Sequence, residues 1–303
     1  MDDRYLEQVR LLVDVLPHLA KEEVFALKGG TAINLFYRDM PRLSVDIDLT
    51  YVPIEDRDVS LKHMDETLER IMGGITAAGR AQARRIAGGG TNETRILVSD
   101  GPTRVKIETS PVARGTVLPP RTMVTCDAVT DRFGFAEMPV LAFEDLFGGK
   151  LHAALDRQHP RDLFDIKLLY ENEGLTDDLF RVFMVYVASS ARPMHELLAP
   201  GTPPSEHLFD AEFAGMTRDR VTRDMLDEAR ARLHSDVRER LTGRIAEFLL
   251  SVHDAKPDFE RIGLPGAARL PAVRWKRFNL EKLKRENAEK HAKQRNALEA
   301  LLG

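Results

Sequence analysis

The sequence is short of cysteine and of long apolar runs, and each shortage excludes a class of function. Cys126 is the only cysteine in 303 residues, so the chain can form neither an internal disulfide nor a cysteine-built metal cluster. That usage fits a reducing cytoplasm. No stretch of about eighteen uninterrupted apolar residues occurs, and no membrane span is expected. The opening residues mix acidic, basic and apolar positions at helical spacing and lack the apolar heart of a signal peptide, so export is not expected. Internal repeats and low-complexity segments are absent as well. What is present is ordinary globular material, with 43% hydrophobic and 30% charged residues. The length suits one large domain or two modest ones. A formal net charge of -4 hides an asymmetry, because the C-terminal end is basic while the rest leans acidic. The asymmetry points to an anionic partner for that end.

Hydrophobic spacing divides the chain in two. Tyr5, Leu6, Val9, Leu12, Val13 and Leu16 predict a first amphipathic helix, ended or kinked by Pro17. Phe25-Ala26-Leu27 is a short apolar run stopped by Lys28-Gly29-Gly30, after which Thr31 is placed to cap a helix reaching Tyr37. Pro41 breaks that helix, and residues 43–52 alternate apolar and polar side chains as a strand does. A longer helix carries Leu61, Met64, Leu68, Ile71, Met72 and Ile75 on one face. Gly88-Gly89-Gly90 and Asp100-Gly101 read as turns around a strand at 95–98, with Val105-Lys106-Ile107-Glu108 as its hairpin partner. A further strand is expected over 123–129. From Ala142 onward the period is helical, predicting helices over 143–155, 160–170, 179–188, 222–253 and 279–301, with a loop at 200–204. The expected organisation is an α/β (α+β) core over residues 1–141 and a helical domain over 142–303.

The strongest chemical signal is Lys28-Gly29-Gly30-Thr31 followed by Ser44-Val45-Asp46-Ile47-Asp48-Leu49. Two glycines between a strand and a helix let the backbone approach an anion closely, and the helix N-terminus offers free N–H groups to phosphate. Residues two apart on a strand share a face, so Asp46 and Asp48 project together while Ile47 and Leu49 pack behind them. Converging carboxylates repel unless a divalent cation sits between them, and magnesium held this way bridges nucleotide phosphates in an in-line displacement. Alone, Gly-Gly is an ordinary turn and Asp-X-Asp an ordinary solvated strand face. In this order, one short helix apart, they point to nucleotide chemistry. Glu108 is the natural third carboxylate, as metal ligand or general base. Its competing reading is a surface glutamate paired with Lys106 or Arg104.

Gly-Gly-Thr, a short helix, Asp-X-Asp and a strand glutamate together resemble the polymerase-β-like nucleotidyltransferase superfamily. More narrowly, Leu27-Lys28-Gly29-Gly30-Thr31-Ala32 with Pro41-Arg42-Leu43-Ser44-Val45-Asp46-Ile47-Asp48-Leu49 resembles the AbiEii/MenT family of bacterial toxin–antitoxin and phage abortive-infection toxins. The likeness continues through Phe143-Glu144-Asp145-Leu146-Phe147-Gly148-Gly149-Lys150-Leu151, Arg157, and Pro160-Arg161-Asp162-Leu163-Phe164-Asp165-Ile166. Gly30-Thr31 stands where the superfamily more commonly has Gly-Ser, and the hydroxyl is kept. The resemblance implies a polymerase-β-like nucleotidyltransferase domain with a mixed sheet, followed by a helical domain. It implies that Asp46, Asp48 and Glu108 hold one or two Mg2+ ions and that Lys28, Gly29, Gly30 and Thr31 position an NTP substrate. It also implies catalytic roles for Lys150 and Asp165. A lysine within an apolar helix face is independently a natural triphosphate contact, against the plainer reading of a snorkelling surface lysine. Asp162 and Asp165 fall about one turn apart. Asp162 is equally a helix N-terminal charge, and Arg161 is free to reach phosphate or to hold Asp165.

The activity so implied is Mg-dependent transfer of nucleotides from an NTP to the tRNA 3′ acceptor end. The expected protein is a cytoplasmic monomer with a separately encoded antitoxin and no membrane association. Two alternatives stay open. One keeps the site but changes the acceptor to a protein or small molecule, of AMPylase or aminoglycoside type. The other is a nucleotide-binding toxin-complex component without turnover, against which the three acids argue. His152 and His159 read as surface or packing residues. The basic tail, from Arg274, Trp275, Lys276 and Arg277 through Lys282, Lys284 and Arg285 to Lys290, Lys293 and Arg295, either lines an RNA backbone or is a solvated charge run.

Overall fold

The structure, a computed structural model, describes residues 3–86, 94–201 and 207–303. The expected Gly88-Gly89-Gly90 turn and most of the expected loop at 200–204 lie outside these residues. The chain forms two compact units, Met1–Ala142 with Ala214–Arg220, and Phe143–Phe213 with Val221–Gly303.

The first unit is built on a mixed sheet of seven strands. Its strands are β1 (Phe25–Lys28), β2 (Asp46–Tyr51), β3 (Gln82–Ile86), β4 (Arg95–Asp100), β5 (Thr103–Thr109), β6 (Arg121–Val124) and β7 (Glu137–Val140), in the spatial order β3-β4-β5-β2-β1-β7-β6. β2 runs parallel to β5 and β1 parallel to β7, while the remaining neighbours are antiparallel. The helices α1 (Asp3–Leu19) and α3 (Arg57–Ala77) lie against the sheet, α1 on β5 and β7 and α3 on β3. Strand alternation explains why they do: Ile47, Leu49, Ile96, Val98, Val105 and Ile107 are buried on one face, together with Val9, Leu12 and Leu16 of α1. Arg85 of β3 points to the same side, where it pairs with Asp65 and, at 3.7 Å, with Glu69 of α3. Apart from Leu97 the intervening residues of β2, β4 and β5 are polar, and apart from Thr50 they are at least partly exposed on the other face. That exposed face carries the candidate site.

Three sequence expectations in this unit are corrected. Thr31 does not cap a helix. The helix begins at Gly29 as α2 (Gly29–Ala32) and continues directly into a π-helical turn, Ile33–Tyr37, with extended Lys28 at its cap position. The expected strand at 123–129 stops at Val124, and Cys126 precedes α4 (Asp127–Phe133), which buries Val129. β3 and β7 were not foreseen. Residues 214–220 join this unit by main-chain bonding: Arg42 bridges to Thr217, the Leu43 N–H donates to the Met216 carbonyl at 2.8 Å, and the Arg218 N–H donates to the Pro41 carbonyl at 2.9 Å.

The second unit is helical: α5 (Phe143–Arg157), α6 (Pro160–Asn172), α7 (Asp177–Ser189), α8 (Met194–Leu198), α9 (His207–Glu212), α10 (Arg223–Glu239), α11 (Gly243–His253), α12 (Pro271–Glu286) and α13 (Ala288–Glu299). The α5–α7 pair forms its centre, with Gly148 and Gly149 leaving room for the Tyr186 ring. The two long helices expected at 222–253 and 279–301 are each broken. Gly243 takes φ +53°, a left-handed conformation suited to glycine, and α11 starts there. Asn287 ends α12 and caps α13, its side chain accepting from the Lys290 N–H at 2.9 Å.

Candidate active site

Strand register arranges the polar face of the first unit into a charged row. Lys28 of β1 lies across from Asp48 of β2, Asp48 across from Glu108 of β5, and Glu108 across from Arg95 of β4. Four neighbouring strands thus present Lys28, Asp48, Glu108 and Arg95 in sequence, two carboxylates flanked by two cations. In the next row Asp46 lies across from Lys106. The Lys106 ammonium stands 3.4 Å from Glu108 and 4.0 Å from Asp46, and Arg95 pairs with the same Glu108 oxygen. Like charges directly across a sheet destabilise it, so this concentration of acid persists only because cations are interleaved with it.

The turn before this row is shaped around the carboxylate. Gly29 has φ +74°, and a Cβ there would come within 2.5 Å of an Asp48 carboxylate oxygen. A side chain at Gly30 would strike the Arg42 guanidinium at 2.7 Å and the Ser44 hydroxyl at 2.9 Å. The second glycine therefore serves a buried arginine. Arg42 is only 2% exposed and donates to the Leu43 carbonyl at 2.9 Å. Thr31, also buried, hydrogen bonds to the main-chain carbonyl of Asp46 and lies 3.0 Å from the Ser44 hydroxyl. Asn34 donates to the Gly30 carbonyl at 2.8 Å. The two Thr31 bonds tie α2 to the start of β2 and fix where Asp46 begins.

The second unit holds another ionic cluster. Lys150 of α5 lies 2.7 Å from Asp162 and 3.0 Å from Asp165, both on α6, and both aspartates are 0% exposed. Arg157 adds a forked pair to Asp162. Burial alone would push the Asp162 carboxyl upward. Lys150 and then Arg157 override it and hold the group far below the usual carboxylate range. Arg161 faces Glu212 at 3.7 Å. His159 caps α6, its Nδ1 accepting from the Arg161 N–H at 3.1 Å. The Nε2–H therefore donates to Glu212 at 3.0 Å, and burial keeps the ring below its ordinary pKa, in the neutral form this bonding needs. His152 is held neutral by burial in the same way.

The expected residues therefore fall into two groups: Lys28, Gly29, Gly30, Thr31, Asp46, Asp48 and Glu108 together in the first unit, and Lys150, Arg161 and Asp165 in the second. Arg95 and Arg42 were not singled out, and Arg157 had no assigned role. Glu108 pairs with Lys106, as the plainer reading had it, but Arg95 replaces Arg104 as its second partner. Among the described residues no three His, Cys, Asp or Glu side chains already close as a metal cage. Asp46, Asp48 and Glu108 nonetheless share one face, offer only oxygen donors, and draw Lys106 between two of them. That donor chemistry fits a hard divalent cation, with Lys106 displaced.

Comparison with known proteins bears on the same residues. The model of the nucleotidyl transferase AbiEii toxin family, of type IV toxin–antitoxin systems, matches residues 10–275. Among solved structures, the nucleotidyltransferase toxin MenT4 from Mycobacterium tuberculosis H37Rv has a similar fold. The two share 16% identity with a TM-score of 0.60, over 99% of this chain and 94% of that one. No curated protein sequence matches the chain. A mixed sheet that presents paired aspartates behind a Gly-Gly turn, and a family match running through both units, give one conclusion: the chain belongs to the AbiEii family of nucleotidyltransferase toxins.

Proposed function

We propose that the chain transfers a nucleotidyl group from a ribonucleoside triphosphate to the 3′ acceptor end of tRNA, and so stops aminoacylation. The observation that carries this reading is the charged row Lys28–Asp48–Glu108–Arg95 with Gly29 packed directly on Asp48. The acceptor hydroxyl gives its proton to water, its oxygen forms a bond to the α-phosphorus, and the bond from that phosphorus to the departing pyrophosphate breaks. Asp46 and Asp48, with Glu108, would hold Mg2+, which when bound neutralises phosphate charge and favours the alkoxide form of the acceptor. Gly29, without a side chain, leaves the backbone open to close approach by the triphosphate. Lys28, across from Asp48, adds positive charge where the leaving group gains negative charge. Thr31 acts through Asp46, by fixing the start of β2. A separately encoded antitoxin follows from the family, and no described helix is long and apolar enough to cross a membrane.

The test is label transfer. Purified protein incubated with magnesium, total tRNA and each labelled NTP should label RNA at its 3′ end. Asp48→Asn should reduce the rate by about 10²-fold or more while leaving the melting temperature equal or higher, because it removes a like-charge contact with Glu108. Undiminished transfer by Asp48→Asn removes this site from the chemistry. Labelling of a protein in place of RNA removes the acceptor.

A further inference from the structure

α12 carries two features that its packing does not explain. The first is an aromatic pair in water. Trp275 and Phe278 are 53% and 54% exposed, and their rings lie at 5.7 Å between centroids and 19° from parallel. The second is a cavity of about 340 Å³, lined by Lys256, Arg274 and Arg277 over an apolar floor that includes Pro257, Ala268 and Val273. Arg277 is paired to Glu281 at 2.9 Å, but Lys256 and the Arg274 guanidinium have no ion-pair partner among the described residues.

Helical geometry joins the two features. At 3.6 residues per turn, Arg274 and Phe278 are neighbours on one face, with Cβ atoms about 6 Å apart, and Trp275 continues that face. Arg274 therefore stands between the cavity and the aromatic pair. Not every basic residue of the helix belongs to this surface. Lys276 turns inward, donates to the Arg192 carbonyl at 2.7 Å, and is pushed by burial to a pKa of about 8. Lys282 and Arg285 sit near Glu286, at 4.0 and 3.2 Å, as a solvated charge run would. Lys256 and Arg274, facing the cavity, are a different case, since neither has an ion-pair partner among the described residues.

We infer that this face of α12 docks an unpaired stretch of RNA, with a phosphate in the Lys256–Arg274–Arg277 cavity and the adjoining base stacked on Trp275 and Phe278. Cations beside exposed parallel rings match the alternation of phosphate and base in a single strand. An acidic polypeptide would satisfy the cavity and leave the rings without a flat partner. The inference rests on RNA being the acceptor, and it assigns a docking surface in the second unit that transfer chemistry does not require.

Trp275 is the only tryptophan, so emission excited at the red edge, where tyrosine does not absorb, comes from this residue alone. A short single-stranded RNA should quench it saturably, with affinity falling steeply as salt rises. Lys256→Glu with Arg274→Glu should weaken binding about tenfold or more, and abasic RNA of the same length should bind without comparable quenching. Unchanged emission on adding RNA overturns the proposal, as does stronger quenching by polyglutamate than by RNA. Asp48→Asn separates this inference from the proposed activity, since it should still be quenched. Quenching with no transfer from any NTP leaves docking intact and removes the RNA-transferase reading. Transfer with unchanged KM for tRNA in the Lys256→Glu, Arg274→Glu variant does the reverse.

Discussion

Gly29 shows how one backbone position governs a functional group on another strand. Its φ of +74° is costly for any side chain, and the space where a Cβ would sit is held by Asp48. Gly29→Ala should destabilise the first unit by about 1–3 kcal/mol. It should also move the Asp48 carboxylate, reducing transfer by roughly 10²-fold, since a shift of an ångström at a catalytic group costs that much. Transfer rates and chemical denaturation measure both effects, and an active, equally stable variant would mean that Asp48 has room the structure does not give it. Lys150 poses the opposite problem, because its importance to stability and to catalysis are easily confused. It neutralises two aspartates that are fully buried. Lys150→Met should therefore cost about 3–5 kcal/mol whether or not the ammonium ever meets a triphosphate. Adding Asp165→Asn should recover part of that loss, giving a coupling of about 1–3 kcal/mol in a double-mutant cycle. Additive losses would show that the two side chains do not share this cluster.

At the scale of elements, the readable parts were those whose signals are local. The hairpin of β4 and β5 follows from Asp100-Gly101, with Gly101 at φ +55°, and from alternating residues on either side. Asp46 and Asp48 share a face because Ile47 and Leu49 must be buried. Other elements lack such signals. β3 reads Gln-Ala-Arg-Arg-Ile, without apolar alternation, and β7 alternates for only four residues and contains Pro139, which argues against a strand. The break between α10 and α11 falls in a sequence whose apolar period continues across it, with Leu241 buried. The opposition of Asp48 to Glu108 is a non-local pairing, fixed by which strands become neighbours, and no spacing in the sequence encodes it. The same holds for the docking of α13 on α11. There the His253 Nε2–H donates to the His291 carbonyl at 3.0 Å and the His291 Nε2–H to the His253 carbonyl at 3.1 Å, with the rings 4.4 Å apart. Each ring satisfies the other's backbone. His291→Leu should cost about 1–3 kcal/mol by leaving the His253 carbonyl unpaired. It should speed hydrogen exchange across 288–299 ahead of the rest of the second unit, and uniform exchange would show that the clasp does not hold the helix.

For the whole molecule, the buried titratable groups set the pH range in which the fold is stable. Burial lowers His18, His152, His159, His234 and His253 below the ordinary histidine pKa of 6.5, in both units of the chain. The unfolded chain then binds protons that the folded chain refuses. Their contribution is complete above pH 6.5 and is lost as pH falls through the folded values, at up to about 1.4 kcal/mol per pH unit for each group. Asp162 does not enter this window, because its folded pKa lies below the ordinary value of 3.8 and its stabilisation fails only in stronger acid. On the alkaline side Lys276 acts in the favourable direction. Its pKa is lowered from 10.5 to about 8, so burial of the ammonium costs stability below pH 8, and that cost is relieved as pH rises toward 10.5. Tyr51, Tyr170 and Tyr186 oppose it above pH 10, where the unfolded chain ionises phenols that the folded chain keeps protonated. Thermal unfolding at constant ionic strength should therefore show a melting temperature that drops by several degrees between pH 7 and pH 5, holds or rises from pH 8 to 10, and falls beyond. Lys276→Met should remove the rise between pH 8 and 10 and leave the acid limb as it is. A profile flat from pH 5 to 7 would mean that the buried histidines accept protons without loss of their hydrogen bonds. The His159 cap, whose Nδ1 must stay unprotonated to accept from the Arg161 N–H, would be the first arrangement such a result contradicts.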